Sequence, residues 1–400
     1  MRRVLILCEY PTVSGGERSI LAMLGPLRAA GWEPHAACPG EGPLAEAFRA
    51  AGVEVSPLGP RCAARDGPSR QRRREWLAEC IRRLRPEVFH ANSVAMARLS
   101  GPVVASLGQP SLAHLRDIVG LSRQAVADIH GHGRLLAVSH AVRNYHAAAG
   151  IDAARQHVLY NGVDLERFRP RAPTGWLHRE LRLPRGARLL GTIGQIGPRK
   201  GQDVLLAAAK QLARRYDDVH WLIVGRRFSG KEESVVFERR LREATAVGAL
   251  RGRWHWLDWR DDIPELLGEL TALVHPARQE PLGRVLLEAA ACGVAVVASD
   301  VGGTAEIFAP LGGEPPAFGA AGLVGPTDAA TAALATTAAL LVPPDDAAAL
   351  ADAVGRLLDD EPLRRRLGAD GRRIAEGRFD AVAVGARLAE HYEAVGAGLG

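Results

Sequence analysis

Residues 273–300 constrain the fold most, because they predict a strand, a helix and a second strand in close succession. Their sequence is LVHPARQEPLGRVLLEAAACGVAVVASD. The apolar pair at 273–274 indicates a strand, helical periodicity runs from about 284 to 292 before Gly293, and a second apolar run covers 294–298. This arrangement is typical of a parallel sheet covered by helices.

Two carboxylates flank the start of this predicted helix. Glu280 lies in the loop before it, and Glu288 lies about a turn and a half inside it. Both are expected at the carboxyl edge of the sheet, where open α/β folds bind ligands. The backbone N–H groups of Leu282, Gly283 and Arg284 open the helix and suit a phosphate. The alternative is that one carboxylate is a solvated loop residue and the other a surface helix residue.

The order of these residues resembles the nucleotide-sugar site of the family 4 retaining glycosyltransferases. The pattern consists of Glu280-Pro281-Leu282-Gly283, Glu288, Gly293, Gly302-Gly303 and Glu306. The resemblance implies an α/β chain of GT-B fold, in which two Rossmann-like, doubly wound domains face each other across a cleft. The second domain would hold a nucleotide sugar and the first an acceptor.

The composition is that of a soluble globular protein. A length of 400 residues, with 47% apolar and 24% charged residues, suggests two domains. No apolar run approaches the roughly 20 residues that span a bilayer, and the start shows no signal-peptide cleavage pattern. We therefore expect a cytoplasmic protein. The five scattered cysteines, never in C-x-x-C spacing, argue against disulfides and a zinc site.

The net charge of +6 favours an anionic ligand or an acidic membrane surface. No nucleic-acid motif is present and aromatic residues make up only 5%, so nucleic acid is not an expected partner. A basic amphipathic helix at about 70–85 has two interpretations. It is a crossover helix with a solvated outer face, or it makes peripheral contact with the inner face of a membrane.

The first strand passes into a loop that ends in Ser14-Gly15-Gly16. Glycines between a strand and a helix suit a phosphate, although the spacing G-x-G-x-x-G is absent. The alternative is a tight turn in which Ser14 caps the helix. The resemblance implies that Gly15 and Gly16 face the cleft, near the phosphates of the donor and the acceptor.

Residues 103–117 predict a further strand that ends in His114-Leu115-Arg116-Asp117. Ionisable groups just past a strand are candidate site residues. Many members of the resembling family have a His-Asp pair here. Alignment on Asp117 places Arg116 where the family has histidine. Either His114 or Arg116 fills the catalytic role, or His114 is simply a partly buried histidine.

The domain boundary is expected in the Pro-, Arg- and Gly-containing run at 169–185, because residues 158–170 match the interdomain segment of the family. We assign residues 1–172 to the acceptor-binding domain and residues 173–379 to the nucleotide-sugar domain. The resemblance implies that a last helix, about 380–400, packs back on the first domain. An Ala-, Gly- and Pro-rich insertion is expected at about 309–340.

A second phosphate cradle is expected where the strand of LLGTIGQIGPRKG ends at glycines before Arg199 and Lys200. Adjacent cations in a loop are usually solvated, but lysine occurs only at 200, 210 and 231 in this chain. The family has a cation five residues before this lysine, where this chain has Gln195. Either Arg199 compensates or phosphate binding is weaker. The resemblance also places the nucleobase near the loop at Trp259 and Arg260.

The resemblance implies a metal-independent, retaining hexosyltransferase without a cofactor. The expected donor is a UDP- or GDP-linked sugar, and the acceptor a sugar, a lipid-linked molecule or a small molecule in polysaccharide, glycolipid or natural-product biosynthesis. Arg199, Lys200 and the amides at Gly283 would hold the diphosphate, and no Asp-x-Asp triplet is present to bind a metal ion. Glu288 would bind the ribose and Glu280 the sugar.

Two routes to retention stay open. The leaving phosphate deprotonates the acceptor on the same face of the sugar, or Glu280 acts as a nucleophile in a double displacement. Other functions also stay open. A nucleotide-sugar epimerase would act on the donor without an acceptor, and a non-catalytic protein of this fold would bind a nucleotide sugar or a membrane without turnover.

Overall fold

The structure, a computed structural model, describes residues 2–58, 67–312, 334–335 and 338–398. The chain forms two compact units. One unit comprises Met1–Asp164 together with Phe379–Gly400, and the other comprises Leu165–Arg378. No helix within the described ranges combines the length and the apolar composition needed to cross a bilayer.

The first unit is built on a parallel sheet with helices between its strands. Its strands are β1 (Arg2–Leu7), β2 (Trp32–Cys38), β3 (Glu54–Pro57), β4 (Val88–Ala91), β5 (Ser111–Leu115), β6 (Arg134–Ala137) and β7 (Gln156–Val158). The helices between them are α1 (Gly15–Ala29), α2 (Pro43–Ala50), α3 (Gly67–Leu84), α4 (Val94–Leu107), α5 (Arg123–Ile129) and α6 (His140–Ala148). The strand order is β3-β2-β1-β4-β5-β6-β7.

The second unit repeats this plan. Its strands are β8 (Arg188–Ile193), β9 (Val219–Val224), β10 (Trp254–Leu257), β11 (Ala272–His275), β12 (Val296–Ser299), β13 (Leu334–Ala335) and β14 (Leu340–Val342). Its helices are α7 (Trp176–Glu180), α8 (Gln202–Leu212), α9 (Glu232–Thr245), α10 (Ile263–Glu269), α11 (Arg284–Ala291), α12 (Thr304–Ile307), α13 (Ala347–Asp359) and α14 (Glu361–Arg378). The strand order is β10-β9-β8-β11-β12-β14-β13, and among the described strands β13, at the edge, pairs antiparallel with β14.

The strand order of each sheet reverses once, between β1 and β4 in the first unit and between β8 and β11 in the second. Helices cover both faces of such sheets, which explains why the central strands are mostly apolar; residues 4–7 of β1 are fully buried. The two doubly wound α/β units predicted from the sequence are confirmed. Ligands bind these folds at the carboxyl ends of the strands beside the reversal.

The last helix, α15 (Ala381–Gly396), belongs to the first unit. The Tyr392 hydroxyl forms a 2.8 Å hydrogen bond with His90 Nδ1, and Gly385 lies against Pro26 so closely that a Cβ would come within 2.4 Å of the proline ring. The first unit ends at Asp164, before the boundary expected at 172. Most of the insertion expected at 309–340 lies outside the described residues, as does Cys62.

The strand predicted from residue 103 begins later than expected, because residues 103–107 belong to α4 and β5 begins at Ser111. Pro102 and the two valines that follow it disfavour a helix interior. Gly101, however, lies so close to α5 that a Cβ would come within 1.7 Å of the Asp128 carbonyl oxygen. The close packing of α4 against α5 therefore outweighs the low helix propensity of Pro102 and the two valines.

The basic helix α3 connects β3 to β4 across the sheet, so the prediction of a crossover helix is confirmed. Its apolar face, which includes Leu77, Cys80 and Ile81, is buried. Arg74 is also directed inward, where it pairs with Asp128 at 3.1 Å. Among the described cysteines, 8, 38, 80 and 292 are buried and free.

Candidate functional site

The loops that follow β8 and β11 meet at the reversal of the second sheet. Arg278 N–H donates to the Arg199 carbonyl at 2.8 Å. Gly201, with φ +65°, lies so close to the other loop that a Cβ would come within 1.8 Å of the Pro276 carbonyl oxygen. The Arg278 guanidinium adds a bidentate pair with Asp203 at 2.9 and 2.7 Å. These contacts explain why residues 80 positions apart share one site.

We expect Gly201→Ala to destabilise the second unit by about 2–4 kcal/mol, because the residue combines a left-handed backbone with a backbone clash. Urea denaturation measures this loss. Gly197→Ala is the matched control in the same loop, since nothing lies within 4 Å of a Cβ there and its φ of 168° is extended backbone. Equal stability of the two variants would contradict the close approach to Pro276.

Glu280 is the centre of the site, and one of its carboxylate oxygens receives two donors. The Lys200 ammonium donates to Oε2, and His275 Nε2–H donates to the same oxygen at 2.8 Å. Glu280 is 7% exposed and His275 2% exposed, while the Lys200 side chain keeps 15% of its surface in solvent. A buried carboxylate therefore lies between a cation and an imidazole.

Burial alone would raise the pKa of the Glu280 carboxyl, whose ordinary value is 4.5. The Lys200 ammonium and the hydrogen bond from His275 outweigh this effect and, with Arg199, hold the pKa well below its usual range. Burial is also the largest influence on His275, and it lowers the pKa of the ring. At neutral pH Glu280 is ionised and His275 neutral, so the ring nitrogen that faces the carboxylate carries the proton.

A pocket of about 470 Å³ opens beside Lys200. It is lined by Gln195, Ile196, Gly197, Pro198, Arg199, Lys200, Ser229, Lys231, Glu233 and Ser234. Two of the three lysines of the chain therefore line one pocket, together with an exposed arginine. Within the described ranges, no three His, Cys, Asp or Glu side chains are grouped so as to hold a metal ion.

The loop that contains Gln195 is held by Gln202, which the sequence analysis missed. The Gln202 side chain donates to the Gln195 carbonyl at 3.0 Å and accepts from Gly197 N–H at 3.3 Å. Gln202 is 1% exposed, so its side-chain amide makes both hydrogen bonds in the protein interior. A lone glutamine at the start of a helix carries no local pattern that distinguishes it from a surface residue.

The predicted phosphate-binding helix is α11, and its first backbone hydrogen bond is made by Leu286 N–H. The amides of Gly283 and Arg284 precede that bond and open the helix. Arg284 Nε–H also donates to Glu288 at 2.8 Å, so the second predicted carboxylate is buried against its own helix. Pro281 and Leu282, which connect Glu280 to this helix, are both buried.

The glycine pair after β12 supports the Glu280 backbone. Gly303 N–H donates to the Glu280 carbonyl at 3.0 Å. Gly302 has φ +55°, and a Cβ there would lie 2.0 Å from the same oxygen. The spacing between the glutamate and this glycine pair in the sequence thus reflects direct backbone contact.

Arg260 is paired with acidic side chains of the second unit. Its guanidinium forms ion pairs with Glu180 and Asp262, both at 2.7 Å. Nearby, Trp259 and Phe228 form an edge-to-face pair with ring centroids 5.7 Å apart, and both are unusually exposed at 39% and 49%. Phe228 directly precedes Ser229, which lines the pocket beside Lys200.

In the first unit, the Gly15-Gly16 loop lies at the carboxyl end of β1 and packs on Arg116. A Cβ on Gly16 would come within 3.0 Å of Arg116 Cδ. The Arg116 guanidinium donates to the side-chain oxygens of Asn92 and Asn161, the latter at 2.6 Å. Gly15 is the first residue of α1, and the Ser14 hydroxyl before it donates to Glu17.

His114 lies inside β5, not beyond its end, and is 1% exposed. Its Nδ1 accepts from Arg116 at 3.0 Å, and burial holds its pKa well below the usual range. Arg116 therefore occupies the strand end, while His114 supports it from the core. From the sequence, His114 and Arg116 were alternatives for one catalytic role. In the structure they are joined by a hydrogen bond.

Comparison with known proteins supports one family along the whole chain. Residues 177–374 match the family described as Glycosyl transferases group 1, and residues 13–167 match Glycosyltransferase Family 4. A phosphatidyl-myo-inositol mannosyltransferase of Mycolicibacterium smegmatis is 31% identical over 99% of this chain and 95% of that protein. A GDP-mannose-dependent monoacylated alpha-(1-6)-phosphatidylinositol monomannoside mannosyltransferase of Corynebacterium glutamicum is 31% identical over 62% of this chain and 58% of that protein.

The fold is shared with solved glycosyltransferase structures. Anabaena Alr3699/HepE in complex with UDP and glucose superposes with a TM-score of 0.79 at 20% identity, covering 98% of this chain and 99% of that chain. The GT-B fold predicted from the sequence is therefore confirmed. Because both family patterns match and a relative of 31% identity aligns along nearly the whole chain, this protein belongs to glycosyltransferase family 4.

Proposed function

We propose that this protein is a metal-independent, retaining hexosyltransferase that moves a sugar from a GDP- or UDP-linked donor to the hydroxyl of a glycolipid acceptor. The observation that carries the proposal is the ionised Glu280, held by Lys200 beside a cationic pocket. Sugar transfer needs an anion near the positive charge that develops on the sugar, and cations near the departing diphosphate. Glu280 and the cationic pocket beside Lys200 provide both groups at one place in the second unit.

The diphosphate binds the pocket formed by Arg199, Lys200 and Lys231. Lys231 supplies a third cation in a place where Gln195 is neutral, and its ion pair with Glu233 is a long and exposed 4.0 Å contact. An exposed pair of this kind is worth little and is readily exchanged for a phosphate. The amides that open α11 add uncharged donors. These groups neutralise the leaving diphosphate as a metal ion does elsewhere.

The nucleobase stacks on the exposed pair of Phe228 and Trp259. Both aromatic side chains are partly exposed, at 49% and 39%, and such side chains favour a planar ligand. Phe228 directly precedes Ser229, which lines the cationic pocket, so a base attached to a bound diphosphate would lie within its reach. Glu288, fixed by Arg284, accepts hydrogen bonds from the ribose hydroxyls.

Retention follows the same-face route, in which the leaving phosphate takes the proton of the acceptor. In the structure Oε2 of Glu280 already accepts from Lys200 and His275, an arrangement that favours charge stabilisation by this carboxylate over a double displacement. Glu280 instead binds the sugar hydroxyls and stabilises the oxocarbenium-like transition state by its charge.

The acceptor binds the first unit at the Gly15-Gly16 loop, where Arg116 is fixed by two asparagines and His114. The names of the relatives support a phosphoinositide-type glycolipid as the first acceptor to test. The outer face of α3 carries exposed arginines, among them Arg82 and Arg83. That face gives the enzyme peripheral contact with an anionic membrane at its cytoplasmic side.

We expect a thermal-shift screen without metal to show stabilisation by GDP or UDP and their hexose conjugates, and little shift with CDP or dTDP. A ligand present at about 100 times its Kd adds roughly 2.7 kcal/mol to the free energy of unfolding. With the donor that stabilises, EDTA should leave the release of nucleoside diphosphate unchanged in the presence of phosphatidylinositol. The anomeric coupling constant of the product measures retention.

Three outcomes would contradict parts of this proposal separately. Loss of turnover in EDTA would overturn metal independence, and an inverted product would overturn retention. Binding of a nucleotide sugar without transfer to any lipid or sugar acceptor would instead support a non-catalytic binding protein.

A further inference from the structure

The two oxygens of the Glu280 carboxylate have different surroundings. Both donors that reach it, Lys200 and His275, contact the same oxygen, Oε2. Within the part of the chain that the structure describes, no hydrogen bond to Oε1 is present. One oxygen is therefore fixed by the protein, and the other is left as an acceptor in a site that is otherwise packed.

Lys200 is not sufficient to hold this arrangement during the reaction. It lines the cationic pocket as well as contacting Glu280, so a bound diphosphate competes for its ammonium group. When the ammonium turns towards phosphate oxygens, Glu280 needs another donor to keep its rotamer. The nearest such donor is His275. It is the last residue of β11 and is buried, so the surrounding core holds its ring in place.

A neutral donor is the appropriate partner here. A second cation beside Glu280 would cancel the negative charge that the developing oxocarbenium ion requires. A neutral imidazole donates one directed hydrogen bond and leaves that charge in place. The position of His275 inside the sheet keeps the ring uncharged, because its burial disfavours the imidazolium form.

We propose that His275 is a positioning residue for Glu280: its Nε2–H holds Oε2 and thereby presents Oε1 to the donor sugar. This inference rests on the proposed function of Glu280. His275 contributes through the orientation of the carboxylate and does not touch the substrate itself.

The test compares His275→Leu, which removes the donor, with His275→Gln, whose side-chain amide restores an N–H near the Nε2 position. For His275→Leu we expect kcat to fall about 10- to 100-fold, the usual effect of losing a hydrogen bond to a charged group. The KM for the donor should change little, because Arg199, Lys200 and Lys231 remain. His275→Gln should recover most of kcat.

The pH profile separates positioning from a general structural role. The charges that face Glu280 come from Lys200 and Arg199 in the loop after β8, and His275 on β11 adds the hydrogen bond. Loss of that bond raises the pKa of Glu280, so the acid limb of the kcat profile should move to higher pH in His275→Leu. His255→Leu is the matched control, since His255 on β10 contacts His220 at 3.0 Å and should leave the profile unchanged.

A second readout does not depend on turnover. Long-range ¹H–¹⁵N NMR spectra, assigned through the signal missing in His275→Gln, should show His275 as the neutral Nε2–H tautomer at neutral pH, with a pKa below the ordinary histidine value because the ring is buried. The inference is overturned if His275 titrates normally, or if His275→Leu keeps wild-type kcat and the wild-type acid limb. Absence of transfer by the wild-type enzyme would instead contradict the proposed function and leave the NMR result standing.

Discussion

Glu280→Gln is expected to lower kcat about 1,000-fold while the protein stays folded and still binds the nucleoside diphosphate. The substitution keeps the shape of the side chain and removes the charge that stabilises the sugar cation, and the loss of one preorganised electrostatic group costs about 10²–10³ in kcat. Its amide also places an N–H where Oε1 accepted from the sugar. Release of nucleoside diphosphate at saturating donor measures kcat, and thermal shift measures nucleotide binding.

Glu288→Gln is the matched control, because it removes the same charge from the same loop-helix unit. Glu288 is assigned to the ribose, whose contacts do not change between the ground state and the transition state. We therefore expect the KM for the donor to rise about 10-fold with kcat nearly constant, the pattern of lost uniform binding. Turnover by Glu280→Gln above a tenth of the wild-type rate would remove Glu280 from the reaction centre.

Local periodicity was enough to predict the parts of the fold that surround the site. The strand-helix-strand unit from β11 to β12 was predicted within two residues at each of its boundaries. Lys200 and Glu280 were also identified, since each lies in a short pattern of glycines and charges that has a physical meaning. The strand expected from residue 103 failed because the contact between α4 and α5 that overrides its propensity is not local.

The partners of the site residues could not be predicted, because they join distant parts of the chain. His275 is an ordinary core position by sequence, at the end of an apolar strand, and only the fold turns its ring towards Glu280. Arg260 is a second example. The sequence placed it near the expected nucleobase loop, and that role stays a prediction; its side-chain pairing with Glu180, 80 residues earlier, could not be predicted. Hydrogen bonds between residues far apart in the chain produce no periodic sequence pattern from which they could be predicted.

Lys200→Met is expected to lower kcat/KM at least about 1,000-fold, because the side chain that holds Glu280 is also the one proposed to bind the diphosphate. Charge-assisted contacts to phosphate are about twice as strong as neutral ones, so their loss weakens binding of the donor. The loss is larger in the transition state, where negative charge develops on the departing diphosphate. We therefore expect weaker binding of GDP or UDP in thermal shift as well as slower turnover. A Lys200→Met protein that bound the nucleotide as tightly as the wild type would refute the diphosphate cradle.

Lys210→Met is the control for loss of a lysine in the same region. Lys210 lies on the exposed face of α8, the helix that follows the cradle, and does not line the pocket. Its removal changes the net charge of the protein by the same amount. Nucleotide affinity and kcat should stay within about twofold of wild type, as for surface substitutions away from structural features.

Lys200→Met should also change how stability depends on pH, and the sign follows from Glu280. The depressed pKa of this carboxyl stabilises the wild-type fold at every pH well above 4.5, the ordinary value, and the contribution is lost as the pH falls towards the folded-state pKa. In Lys200→Met the ammonium group is absent, so ionised Glu280 contributes less to the stability of the fold at pH 7. The variant should therefore have a lower Tm than wild type at pH 7, and the difference should shrink at pH 4. A Tm difference that is constant from pH 7 to pH 4 would mean that the ion pair seen at the site contributes no charge-dependent stability.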